Sequence, residues 1–162
     1  MHGVPPLDFP ASELGEFFRL HAFIESGLRS VRDFPEQRYR DLERKMRRWP
    51  RTRENDPFFT TSRTLAEQLH AKTAMEVVPG FVTFCAPDLD EAFRQIVERG
   101  AERIVVVTPM MTSGGQHAER DIPEAISRAQ KTYPSIRIDY AWPFPLEEIV
   151  DFLAGQIART NT

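Results

Sequence analysis

The residues of this chain best placed to do chemistry lie between Ile104 and Pro123. A β-branched run, Ile104-Val105-Val106-Val107, leads into Thr108-Pro109-Met110-Met111-Thr112-Ser113-Gly114-Gly115-Gln116-His117 and then Ala118-Glu119-Arg120-Asp121-Ile122-Pro123. This reads as a buried strand, a glycine-bearing loop that presents one histidine, and a capped helix. An apolar β-branched run suits a parallel strand covered on both faces, and ligands of open α/β sheets bind beyond the carboxyl ends of such strands. His117 falls at that point. An imidazole exchanges protons near neutral pH and ligates first-row divalent metals, so both kinds of chemistry are open to this loop.

The elements that position this loop follow a repeating β-α pattern from about residue 75 to residue 159. Val77 to Phe84 is predicted as a strand that starts late or carries a bulge, because Pro79 and Gly80 interrupt it. Asp88 and Glu91 form a capping box for a helix whose inner face is Leu89, Ala92, Phe93, Ile96 and Val97, with Gly100 ending it. Arg103 to Val107 is the next strand. After the loop, Asp121 and Glu124 are expected to form a second capping box, with Ile122, Ala125, Ile126 and Ala129 as the buried stripe of a helix ending near Tyr133-Pro134. Ile136 to Trp142 makes a third strand. Pro145 starts a last helix, with Ile149, Val150, Leu153 and Ile157 facing inward.

Residues 13–72 differ, being helical in pattern and rich in arginine. Ser12 is the expected cap of a helix carrying Leu14, Phe17, Phe18, Ile24 and Leu28, and Tyr39, Leu42, Met46 and Trp49 form the stripe of a second. Trp49 to Pro57 is a polar connection bounded by prolines. A third helix is expected from about Ser62 to Lys72, with Leu65, Ala66 and Leu69 inward. The fold class is therefore α/β, a single domain over residues 1–162 whose sheet is parallel and doubly covered. At the start, His2-Gly3-Val4-Pro5-Pro6 has the composition of a turn that normally follows a strand, yet no strand-like run precedes it.

The opening His2-Gly3, the segment Phe81 to Ala92, and Thr108-Pro109 through His117 to Asp121-Ile122-Pro123 together resemble the class II chelatases, the small CbiX/SirB-like sirohydrochlorin cobaltochelatases and ferrochelatases. The similarity covers Gly80 to Ile157 well and the first ten residues weakly. It implies a chelatase-like three-layer fold with a four-stranded parallel sheet, whose first strand is missing upstream of His2, and a helical N-terminal insertion. It also implies insertion of Co²⁺ or Fe²⁺, with Ni²⁺ a further candidate, into sirohydrochlorin or a related tetrapyrrole, without an organic cofactor. The two metal-handling histidines fall on His2 and His117. Three positions depart from the family pattern: Val4 and Pro5 replace a Ser-Arg pair, and Thr83 stands where an acidic residue is common.

On this reading neutral imidazoles hold the ion loosely and accept the pyrrole protons. Gly114 and Gly115 let the backbone approach a flat macrocycle, and Met110 and Met111 offer soft apolar surface to its face. The plainer alternatives are that the glycines only make a turn and that the methionines are core. Asp121 is explained by its cap, Glu119 as a solvated carboxylate, and His21 and His70 as packed or surface histidines. The arginines from Arg29 to Arg53 read as a solvated face with pairs such as Asp41 with Lys45, or as a cationic rim for a carboxylate-rich ligand.

Among 162 residues with 41% apolar side chains and a formal net charge of −3, a nucleic-acid partner is not expected. No run approaches the roughly eighteen apolar residues of a membrane span. The single cysteine, Cys85, reads as a small core residue in a reducing cytoplasm. A homodimer that completes the cleft follows from the resemblance. The competing function is a protein of the same fold that binds a metal or tetrapyrrole without turning it over.

Overall fold

The computed structural model describes residues 1–25 and 34–160. In chain order these form α1 (Ala11–Glu25), α2 (Glu36–Arg47), α3 (Pro57–Thr73), α4 (Leu89–Glu98), β1 (Arg103–Val106), α5 (Ile122–Thr132), β2 (Arg137–Tyr140) and α6 (Leu146–Thr160). A π-helical turn, His117–Asp121, leads directly into α5. The chain divides into two compact units, His2–Ala92 and Phe93–Thr162. Among the described residues, no helix is long and apolar enough to cross a membrane.

In the first unit the predicted stripe of α2 is the core. Tyr39, Leu42 and Met46 are buried with Phe9 and Phe17, and Trp49 packs edge-on to Phe9 with ring centroids 5.0 Å apart. The start of α1 differs from expectation. The Pro10 carbonyl accepts the Leu14 N–H at 2.9 Å, so Ser12 lies inside the first turn and is not its cap. Phe17 is buried whereas Phe18 is exposed, and Leu28, Arg29 and Arg32 lie outside the described residues. Helix α3 begins five residues before Ser62, because Asp56 accepts the Phe59 N–H at 2.8 Å and Pro57 occupies the first turn, where a missing N–H costs nothing. Of its expected inner face Ala66 is buried and Leu65 is exposed.

The predicted strand Val77–Phe84 does not form; a single bridge between Phe81 and Asp88 is all the pairing this segment shows among the described residues. Its carbonyls are occupied by guanidinium groups instead. Arg47 donates to the Cys85 oxygen at 3.0 Å and the Val82 oxygen at 3.3 Å, and Arg51 donates to the Phe84 oxygen at 2.6 Å. Phe84 itself has a positive φ of 58°, which breaks an extended run. Arg51 also donates to Val4 O at 2.7 Å, Met46 O at 2.9 Å and Asp56 Oδ2 at 2.5 Å. With side chains 4% and 0% exposed, Arg51 and Asp56 form a buried ion pair that ties four stretches of backbone together.

The other basic residues of α2 follow the solvated-face reading, with different partners. Arg38 pairs with Glu16, Arg40 with Glu36 and Arg44 with Asp41, while Lys45 reaches Glu13 rather than Asp41. The Asp88–Glu91 capping box is present as predicted, with reciprocal bonds of 2.8 Å and 3.2 Å.

In the second unit β1 and β2 pair in parallel, with Arg103 opposite Arg137 and Val106 opposite Tyr140. Gly100, at φ +88°, ends α4 as expected, and its N–H reaches Val97 O at 2.9 Å. Helix α5 buries Ile122, Ala125 and Ala129. Two expectations are corrected here. Among the described residues the sheet has two strands, so Ile104 is buried on one face while Val105 and Val107 stay exposed on the other. In α6 only Ile149 turns inward; Val150, Leu153 and Ile157 are exposed, because no other described element packs on that side of the helix.

Candidate active site

The loop after β1 is fixed by residues of β2 and its continuation. Trp142 Nε1 donates to the Met110 carbonyl at 3.1 Å, and the Tyr140 hydroxyl donates to the Ala118 carbonyl at 3.0 Å. The two rings stack, with centroids 5.9 Å apart and planes 15° from parallel. Two residues apart in an extended chain, they share one face, which is why they hold the two ends of the loop together. Burial pushes the Tyr140 phenol up from its ordinary value, so the donor proton is retained at neutral pH.

Within the loop, Gly114 has φ +92°, a conformation that glycine adopts without steric cost. Its N–H donates to Glu119 Oε1 at 2.7 Å, and Glu119 N–H returns to Gly115 O at 3.0 Å. Glu119 is exposed, as read from the sequence, and it also closes the loop. A Cβ on either glycine meets nothing within 4 Å, so the space above this backbone is open. Met110 and Met111 are half-buried beside it.

His117 enters on the π turn. Pro123 has no N–H for the Glu119 carbonyl, and its ring would crowd that carbonyl in an α-helix. The turn widens accordingly, and Ile122 N–H bonds the His117 carbonyl five residues back. Asp121 already has helical angles (φ −68°, ψ −40°) and makes no cap bond, so the predicted capping box with Glu124 is absent. Its carboxylate faces the histidine: His117 Nδ1 and Asp121 Oδ2 are 2.5 Å apart, with the side chains 28% and 21% exposed. Arg120 Nε donates to Asp121 Oδ1 at 3.2 Å.

His2 belongs to the first unit. Its ring stands edge-on to Phe84 with centroids 6.1 Å apart, and its Nδ1 lies 3.4 Å from Thr83 Oγ1. Its carbonyl accepts the Thr83 N–H at 3.3 Å. Gly3, at φ +113°, is held so close to the same segment that a Cβ would stand 1.9 Å from the Thr83 oxygen. Thr83 thus places a hydroxyl beside the His2 ring. Among the described residues no three His, Cys, Asp or Glu side chains group closely enough to hold a metal ion. His21 is a packed histidine as expected, stacked on Phe17 and 3.0 Å from the Tyr39 hydroxyl, and His70 bonds the Met75 carbonyl at 2.6 Å.

Sequence reasoning missed Tyr140, Trp142 and the role of Asp121. The first two carried a period-two signal at a strand end, and the third an i,i+4 spacing from His117, which was set aside for a cap.

A β-α unit that presents a histidine from the loop beyond a parallel strand defines the class of this site. The CbiX family profile matches residues 54–160, and the chain belongs to that family. Over 82 residues it is 37% identical to a sirohydrochlorin ferrochelatase of Priestia megaterium, covering 50% of this chain and 30% of that protein. Over 75 residues it is 40% identical to a sirohydrochlorin cobaltochelatase of Sulfolobus acidocaldarius, covering 46% of this chain and 58% of that protein. A solved structure, SirB from Bacillus subtilis with Fe³⁺, is 33% identical with a TM-score of 0.40, covering 52% and 34% of the two chains. The matched stretch spans about a third of the first relative's length and somewhat over half of the second's.

Proposed function

We propose that this protein inserts Co²⁺ or Fe²⁺ into sirohydrochlorin or a related tetrapyrrole, with His2 and His117 handling the metal and the protons and Ni²⁺ a further possible substrate. The observation that carries this reading is His117 itself, held beside an open glycine loop inside the matched residues 54–160. Insertion breaks two pyrrole N–H bonds and forms metal–nitrogen bonds, so two protons leave for each ion that enters. A neutral imidazole serves either half of that exchange: it accepts a proton near neutral pH, and it binds first-row ions without enclosing them. Gly114 and Gly115 leave room for the macrocycle edge, and Met110 and Met111 supply soft surface for its face.

On this reading the chain is a single CbiX-like domain, with residues 13–72 its helical segment. It works in a reducing cytoplasm, without an organic cofactor, nucleic acid or membrane. The net charge of −3 and the lone cysteine agree with that setting. A homodimer is supported by the exposed Leu146, Val150, Leu153 and Ile157 along α6.

The test mixes the protein with sirohydrochlorin and Co²⁺ or Fe²⁺ and follows the macrocycle's visible spectrum. Substituting His117→Ala is expected to slow insertion by about 100-fold or more. An unchanged rate in that variant overturns the assignment. Stoichiometric binding without spectral conversion identifies a carrier rather than an enzyme.

A further inference from the structure

We infer that Asp121 is a positioning residue that holds His117 as its Nδ1–H tautomer, so that the lone pair for metal or proton lies on Nε2. The inference rests on the functional reading of His117 given above. Its geometric basis is separate from that reading. His117 Nδ1 and Asp121 Oδ2 lie 2.5 Å apart, within hydrogen-bond distance, with the carboxylate facing the ring. A carboxylate can only accept, so the proton of a neutral imidazole facing it stands on Nδ1. The Arg120 bond to Oδ1 occupies the second oxygen and fixes the carboxylate plane.

The backbone explains why the pair meets. Asp121 is released from capping because the π turn runs helical angles through its position. That turn follows from Pro123, so the Ile122-Pro123 pair after Asp121 sets the geometry through which the carboxylate reaches the ring. Tyr140 anchors the same turn from outside, through the carbonyl of Ala118. A carboxylate behind a metal-binding histidine fixes ring orientation and tautomer, and its loss typically lowers metal affinity by 10- to 100-fold.

Nitrogen-15 NMR of the full chain, about two pH units above the ordinary histidine value, reads the tautomer directly. His117 is expected as Nδ1–H in the parent protein and to shift toward Nε2–H in Asp121→Ala, the other histidines serving as internal references. Co²⁺ titration is expected to show affinity about 10-fold or more weaker in Asp121→Ala. Asp121→Glu, which keeps an acceptor within reach, is expected to recover part of both. An Nε2–H signal in the parent protein overturns the inference without any variant having to fold, and so does a tautomer that Asp121→Ala leaves unchanged. If instead the tautomer behaves as stated while His117→Ala inserts metal at the parent rate, the functional reading fails and the positioning of the ring stands.

Discussion

The hydroxyl of Tyr140 donates to the carbonyl of Ala118, the residue immediately after His117, across 3.0 Å. One phenol proton therefore ties β2 to the turn that carries the histidine. Tyr140→Phe removes that bond and nothing else of size, and is expected to cost about 1 kcal/mol of stability. Amide hydrogen exchange over residues 110–118 should speed up, and, on the proposed function, metal insertion should slow without a change in overall fold. Unaltered exchange in that stretch would show that the loop is held by other means.

Arg51 is the first unit's clasp. Arg51→Met leaves the Asp56 carboxylate buried, still bonded to the Phe59 N–H but without its cation, and frees the carbonyls of Val4, Met46 and Phe84 at once. We expect a loss of about 3–5 kcal/mol, read as a lowered urea midpoint. Arg51→Lys should recover little of it, since one ammonium cannot span acceptors arranged for a planar fork. A midpoint within experimental error of the parent would refute the clasp.

Two glycines with positive φ should respond differently to alanine. At Gly3 the added carbon meets the Thr83 oxygen at 1.9 Å, whereas at Gly114 it meets nothing within 4 Å. Gly3→Ala is expected to cost at least about 2 kcal/mol, and Gly114→Ala only the conformational penalty of about 1 kcal/mol. Thermal denaturation of the pair distinguishes the two, and equal losses would contradict the geometry.

The Cys85 thiol is pushed up chiefly by burial, with Asp56 3.7 Å from its sulfur acting in the same direction. The folded state thus keeps a proton that the unfolded chain releases near its ordinary value of about 8.5. Stability from this group is complete below that pH and declines as pH rises from there toward the folded value. Tyr140 adds to the decline at higher pH for the same reason. Urea midpoints should fall above about pH 8.5, less steeply in Cys85→Ala, and the native thiol should resist alkylation at neutral pH. Fast modification of the folded protein would count against this burial.

Much of the fold was legible where one local rule operates without competition. The Asp88–Glu91 box, the Gly100 stop and the Tyr39-Leu42-Met46 stripe each depend on a few neighbouring residues, and all three are present. The failures have long-range causes. Val77 to Phe84 has strand composition, but its Val82 and Phe84 carbonyls are taken by Arg47 and Arg51, more than thirty residues earlier in sequence. In the site, His117 and the glycines stood out by type, whereas Asp121 was masked by a capping rule that Pro123 overrides by widening the turn. Glu119, Tyr140 and Trp142 act through backbone carbonyls and amides; the period-two spacing of Tyr140 and Trp142 shows that they share a face but not which carbonyls they bind.

The surroundings of His2 are seated chiefly by backbone atoms. Val4 enters the structure through its main-chain oxygen, which receives the Arg51 guanidinium and lies 3.8 Å from the Cys85 sulfur. Every amino acid carries that oxygen. A change of side chain at Val4 therefore leaves the hydrogen bonds of its carbonyl in place, while Gly3 next door admits no exchange. Tolerance and intolerance lie one peptide apart, and a saturation library over residues 3–5 would display the boundary as a step.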